Sequence, residues 1–287
     1  MESALSAVPD SRRAILPGGS DATLAVLVNS SRGYRDCWFP FFRLLEIHWP
    51  QCRFPLYLNV EEGMYEHPTL DVRCLTHPVG PSGARLPWSD QLLASLEMIP
   101  ERYVLYMQED YFLDKPVDHA RLEECLALTA GAGLGCIHLT PYGSHGGRTR
   151  AELPYLVDVP RISHYRLSAQ AAIWDKRALA SYLRPGESAW ETEILGTLRS
   201  WSRPVPVRSV VESAADADGS IMSYTGTGII RGTWHPAIEP LFRMHGIDVD
   251  FSRRGFYDFP SRWGTRSKML RALARRPDRP LAALLGS

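Results

Sequence analysis

Short apolar runs alternate along this chain with longer stretches whose apolar residues recur at helical spacing, which is the pattern of an α/β protein. Residues 22–28 (ATLAVLV) form a continuous apolar run of the kind buried on both faces of a parallel sheet. Polar Asn29, Ser30, Ser31, Arg32 and Gly33 follow. Over residues 34–49, Trp38, Phe41, Phe42, Leu45 and Trp49 fall near helical spacing, and Pro50 stops the helix. Residues 54–60 and 72–75 predict two more strands, and 78–87 a loop. Residues 88–99 predict a helix with Ser89 as N-cap and Leu92, Leu93, Leu96 and Ile99 on one face. Further on, the pattern predicts a helix over 117–129, a strand over 135–139 and a long loop over 140–160. It then predicts a strand over 165–174 with small residues at its centre, where a ligand can approach the backbone. A helix begins at 175, a second at 190, and a strand falls near 207–211.

The run 103–113 (YVLYMQEDYFL) stands apart. It is apolar, then acidic at Glu109 and Asp110, then apolar again. In open α/β sheets ligands bind beyond the carboxyl ends of the strands. An acidic pair there can hold a divalent metal or a sugar hydroxyl, or it can be a solvated strand terminus.

Composition narrows the picture. At 287 residues with 45% hydrophobic content, the chain can bury one large core. The 32 basic and 32 acidic residues balance, so net charge points to neither nucleic acid nor an acidic partner. All the basic residues except Lys115, Lys176 and Lys268 are arginine, a bias that either reflects a GC-rich genome or favours planar, bidentate contacts to phosphate. The five cysteines include no CxxC pair, so buried free thiols in a reducing compartment are expected. No apolar stretch reaches the ~18 residues of a membrane span, and no signal-peptide pattern opens the chain. A cytoplasmic location is expected. Residues 1–21 read as a mobile lead-in. The basic, Met- and Leu-bearing residues 262–287 read either as a solvated helix or as a helix lying on the inner, anionic membrane face.

The apolar strand ending in Gln108-Glu109-Asp110 resembles the acidic motif of GT-A-type glycosyltransferases. A second resemblance lies in the strand ending Ile173-Trp174-Asp175-Lys176, followed by Trp190-Glu191-Thr192-Glu193 at a helix start. The resemblance spans roughly residues 22–235 and rests on the order of elements. Gln108 stands where the family usually has its first acid.

The resemblance implies a single GT-A-like (Rossmann-like) α/β domain over 22–261, with a central, mostly parallel sheet flanked by helices. It implies transfer of a sugar from a nucleotide-diphosphate sugar to an acceptor hydroxyl, in bacterial glycan or glycosylated-metabolite biosynthesis. Asn29, Ser30, Arg32, Arg85, Ser89, Asp90, Glu109, Asp110 and Arg231 become candidates for the nucleotide-sugar. Asp110 and His235, with His245 in reserve, become candidate ligands for Mn²⁺ or Mg²⁺. Glu191, with Glu193 second, becomes the candidate base. An acceptor hydroxyl is a poor nucleophile until a carboxylate takes its proton. Helix N-terminal stabilisation is the competing role for both acids. Two other classes stay open: a non-catalytic nucleotide- or carbohydrate-binding protein on the same scaffold, and a nucleotidyltransferase.

Overall fold

The structure, a computed structural model, describes residues 23–77, 85–142, 147–151, 153–203, 205–211 and 220–259. The expected lead-in, the loop over 212–219 and the basic C-terminal helix lie outside the described residues. In chain order the elements are β1 (Leu24–Asn29), α1 (Arg35–His48), β2 (Leu56–Asn59), β3 (Val72–Leu75), α2 (Trp88–Met98) and β4 (Tyr103–Gln108). Then come α3 (His119–Gly131), β5 (Cys136–His138), β6 (Arg148–Arg150), β7 (Leu153–Asp158), β8 (Ala172–Asp175), α4 (Lys176–Tyr182) and α5 (Ala189–Ser202). The described chain closes with β9 (Val207–Val210), β10 (Ile229–Ile230), β11 (Thr233–Trp234) and α6 (Ile238–Met244).

Nine strands form one sheet in the order β3-β2-β1-β4-β8-β5-β9-β7-β6. The β3-β2-β1-β4 half is parallel throughout, with Asn29 beside Asn59 on one side and Gln108 on the other. Only β7 and β8 run against the rest of the sheet. The fold is therefore the α/β class expected, with a largely parallel sheet between helices.

The strand period of two divides the core. Leu24, Val26 and Val28 of β1 and Tyr103, Leu105 and Met107 of β4 face a large cluster with Trp38, Phe42 and Leu122 of α1 and α3. Ala25, Leu27, Val104 and Tyr106 face the opposite cluster with Leu92 and Leu96 of α2 and Leu179 of α4. Both strands are buried on both faces, which is why they read as unbroken apolar runs.

Three local expectations change. Residues 165–174 are not one strand, because only Ala172–Asp175 joins the ladder. Upstream, side chains capture the backbone amides: Leu167 N–H bonds Thr197 Oγ1, Ala169 N–H bonds Glu193 and Ala171 N–H bonds the Tyr224 hydroxyl. The supposed long loop over 140–160 contains the antiparallel pair β6–β7, which extends the sheet edge through β9. Finally, the N-cap of α2 is Pro87, two residues before the expected Ser89, which is fully buried instead.

Candidate functional site at the carboxyl end of β4

Parallel strands β1, β2 and β4 end together, and their last residues are polar. On the α2 face, Asn59 Nδ2 donates to Asn29 Oδ1 at 2.5 Å. Asn59 Oδ1 lies 2.6 Å from His77 Nε2, which is 3.0 Å from Ser95 Oγ of α2. Burial holds the His77 pKa below the usual histidine value, favouring neutral imidazole. This buried chain fixes the strand ends against α2. On the other face, Trp38 Nε1 donates to Ser30 Oγ at 2.6 Å.

One residue beyond β4, Glu109 and Asp110 are both about 6% exposed. They behave differently. Asp110 Oδ2 accepts from Thr227 Oγ1 at 2.5 Å and from Ile229 N–H at 3.0 Å. Gly228 N–H donates to the Asp110 carbonyl at 2.9 Å. Asp110 thus anchors the β10–β11 hairpin to the sheet. Gly228 permits the approach, since a Cβ there would sit 2.4 Å from the Phe112 ring and 2.8 Å from the Asp110 carbonyl oxygen. No other side chain among the described residues donates to the Glu109 carboxylate, which has only its own backbone N–H as donor. Burial, then the neighbouring Asp110 charge, push its pKa well above the ordinary carboxylate range. Burial raises Asp110 too, against the Thr227 and Ile229 hydrogen bonds that favour its charged form.

From α5 comes a third carboxylate, Glu193. Its Oε1 accepts from Ala169 N–H at 2.7 Å and Ser168 Oγ at 3.4 Å. Burial raises its pKa above the usual glutamate value. Its charge is felt by Tyr106 and Tyr111, which also feel Glu109 and Asp110 respectively. Tyr111 stacks on Tyr224 with ring centroids 4.7 Å apart, and donates to the Ala169 carbonyl at 2.8 Å. The carboxylates of β4 and α5 therefore share one aromatic neighbourhood.

Glu191 is used differently. Its carboxylate accepts from the Ser188 backbone N–H at 2.9 Å while Ser188 Oγ accepts from Glu191 N–H, completing a capping box that starts α5. Ser89 and Asp90 brace the same helix start: Glu187 N–H donates to Ser89 Oγ at 2.9 Å and Gly186 N–H to Asp90 Oδ2 at 2.6 Å. Arg85 pairs with Glu61 and contributes to the field at Glu109. Arg231 is exposed at the hairpin turn with φ 52°. His235 accepts from Ala237 N–H at 3.1 Å through Nδ1, and its ring meets Phe259 edge-on. His245 meets His48 edge-on instead.

The protein alone offers a divalent cation few ligands. Among the described residues no three His, Cys, Asp or Glu side chains gather, so a cation here would draw most of its ligands from phosphate oxygens and water. One Asp110 oxygen is already taken by Thr227 and Ile229.

A basic cleft joins Arg32, which the sequence reading proposed, to Arg35, Arg253 and Arg254, which it did not. Arg254 forms a two-pronged pair with Asp36, at 2.6 and 2.5 Å, and lies 5.1 Å over the Tyr34 ring. Tyr34 and Cys37, both near this pair, also feel Glu109 and Asp110. The cleft, about 450 Å³, is lined by Arg32, Gly33, Arg35, Asp36, Arg253 and Arg254. The Asp36–Arg254 contact spans 218 residues of sequence, so no local spacing could signal it.

No protein family model matches the chain, and no curated protein sequence matches it. Solved structures do resemble it. The Staphylococcus aureus protein TarS aligns over 81% of this chain and 41% of its own, at 12% identity and TM-score 0.46. The chain thus spans less than half the length of that protein. CMP:2-keto-3-deoxy-manno-octonic acid synthetase, solved with CTP, aligns over 78% and 97%, at 12% identity and TM-score 0.44. Glucosyl-3-phosphoglycerate synthase from Mycobacterium tuberculosis, solved with Mn²⁺, UDP and phosphoglyceric acid, aligns over 79% of each chain, at 14% identity and TM-score 0.38. Among the described residues, no helix is long and apolar enough to cross a membrane.

Proposed function

We propose that the protein transfers a sugar from a nucleotide-diphosphate sugar to an acceptor hydroxyl. One observation carries this reading: Glu193 of α5 and Glu109 after β4 both act on Tyr106, and Glu109 also feels Arg254 of an arginine-lined cleft. The pieces divide the work that glycosyl transfer needs. The leaving diphosphate requires positive charge, which the cleft supplies. The attacking hydroxyl requires a base, and positioned proton transfer is worth ~10²–10⁴-fold. Glu193 suits that role better than Glu191. Its burial raises its proton affinity above that of an ordinary glutamate and only its Oε1 is held, by Ala169 N–H and Ser168, whereas the Glu191 carboxylate is engaged in the α5 cap. In the reaction the acceptor oxygen bonds the anomeric carbon and its proton passes to Glu193. The bond from that carbon to the phosphate oxygen breaks, and its electron pair leaves with the diphosphate.

Asn29, Asn59 and Ser30 form the rigid floor under the nucleotide, since their side chains are already bonded within the protein.

The test is a panel of UDP-, GDP- and TDP-sugars, each with EDTA and with Mn²⁺, read by release of nucleoside diphosphate. Turnover of one donor is the expected result. Donor binding without any turnover would leave a binding protein, and pyrophosphate release from a nucleoside triphosphate would indicate nucleotidyl transfer.

A further inference from the structure

We propose that the cleft at the start of α1 binds a diphosphate group through arginines, without a metal ion. That the group belongs to a nucleotide-sugar rests on the function proposed above; the anion site itself does not.

The cleft draws its charge from two distant segments. Arg32 and Arg35 come from the turn into α1, and Arg253 and Arg254 from the chain after α6. A second opening of about 510 Å³ shares Arg32 and Arg35 and continues to Trp38, Glu62 and Gly63. Two of the four cations are matched by carboxylates: Arg254 by Asp36, and Arg32 by Glu62 at 2.5 Å on the exposed rim. Arg35 and Arg253 form no ion pair among the described residues, although Arg253 lies in the field of Asp250. Like charges brought together repel unless an anion lies between them. The Arg35 guanidinium is held 5.4 Å over the Trp38 ring, which limits its freedom before any ligand arrives. Two guanidinium forks facing one cleft match the oxygens of linked phosphates, which accept paired N–H donors.

Position supports a diphosphate over a stray anion. Arg254 touches this cleft and also lowers the proton affinity of Glu109. Anionic oxygens beside Glu109 and Asp110 alone would be repelled. Here they would meet arginine on the open side of the acidic strand end. Asp110 gives one of its oxygens to Thr227 and Ile229, so the arginines of the cleft are the groups placed to neutralise the diphosphate. When the sugar–phosphate bond breaks, they hold the electron pair that stays on the phosphate oxygen.

The experiment is calorimetric titration of the full chain with inorganic pyrophosphate, in EDTA and then in Mn²⁺. Wild type is expected to bind in EDTA, more weakly as salt rises. Arg35→Ala and Arg253→Ala are each expected to weaken binding tenfold or more, and Arg35→Lys less. Arg243→Ala, exposed on α6 and paired with Glu239, serves as the charge control and should bind as wild type. Arg35 and Arg253 are exposed, so melting temperatures near wild type will show that the variants fold. Binding that needs Mn²⁺, or that survives in the Arg35→Ala/Arg253→Ala double variant, overturns the proposal. Titration with UDP, GDP and TDP separates the two readings. Arginine-dependent pyrophosphate binding with no gain from any nucleoside leaves the anion site standing and removes the sugar-nucleotide role. Mn²⁺-dependent nucleoside diphosphate binding, indifferent to the arginines, does the reverse.

Discussion

Removing Arg199 should damage the protein more than any charge change on its surface. Glu187 is 0% exposed and Arg199 about 4%, and they meet through two bonds of 2.9 and 2.7 Å. Arg199 Nε also donates to the Tyr182 carbonyl at 2.7 Å, and Thr192 Oγ1 to Glu187 at 3.3 Å. Arg199→Met keeps most of the side-chain volume but strands a buried carboxylate. Breaking a buried pair in this way costs about 3–5 kcal/mol. For a domain of this size that corresponds to a fall in melting temperature of roughly 10 °C. Urea denaturation followed by circular dichroism, with an unchanged slope, measures the loss. Glu187→Leu combined with Arg199→Met should recover at least half of it, because no buried charge then remains. A single variant within about 1 kcal/mol of wild type, or a double variant as weak as the single, refutes this reasoning. The bridge matters to function because Glu187 sits where α2 and the start of α5 are tied, six residues before Glu193.

Glu193→Gln should lower turnover by ~10²–10⁴-fold while leaving nucleoside diphosphate affinity near wild type; an unchanged rate removes Glu193 from proton transfer. Glu191→Ala should cost about 0.5–2 kcal/mol in urea stability through the lost cap, with turnover changed only a few-fold. Glu109→Gln should stabilise the fold at pH 8 and have no such effect at pH 4. The raised Glu109 pKa means that the folded protein holds a proton the unfolded chain releases, so stability falls as pH climbs past the ordinary carboxylate range. Equal melting shifts at both pH values would show that burial does not penalise the Glu109 charge.

The pattern of apolar residues alone was enough to place β1, β4, α1 and α2, because both faces of those strands and one face of each helix are buried. Burial writes a period into the sequence. The acidic strand end at Glu109 and Asp110 was legible for the same reason: polarity that interrupts an apolar run is conspicuous. The span 165–171 misled because its residues have strand-like character, yet their amides are claimed by Thr197, Glu193 and Tyr224 from elsewhere. Which of Glu191 and Glu193 caps a helix and which binds the Ala169 amide depended on the direction each side chain leaves α5. The Asp110 anchor on Thr227 and the meeting of Asp36 with Arg254 join residues more than a hundred positions apart. Periodicity records which side of an element is buried, not what it is buried against, and so only the folded chain could assemble the cleft.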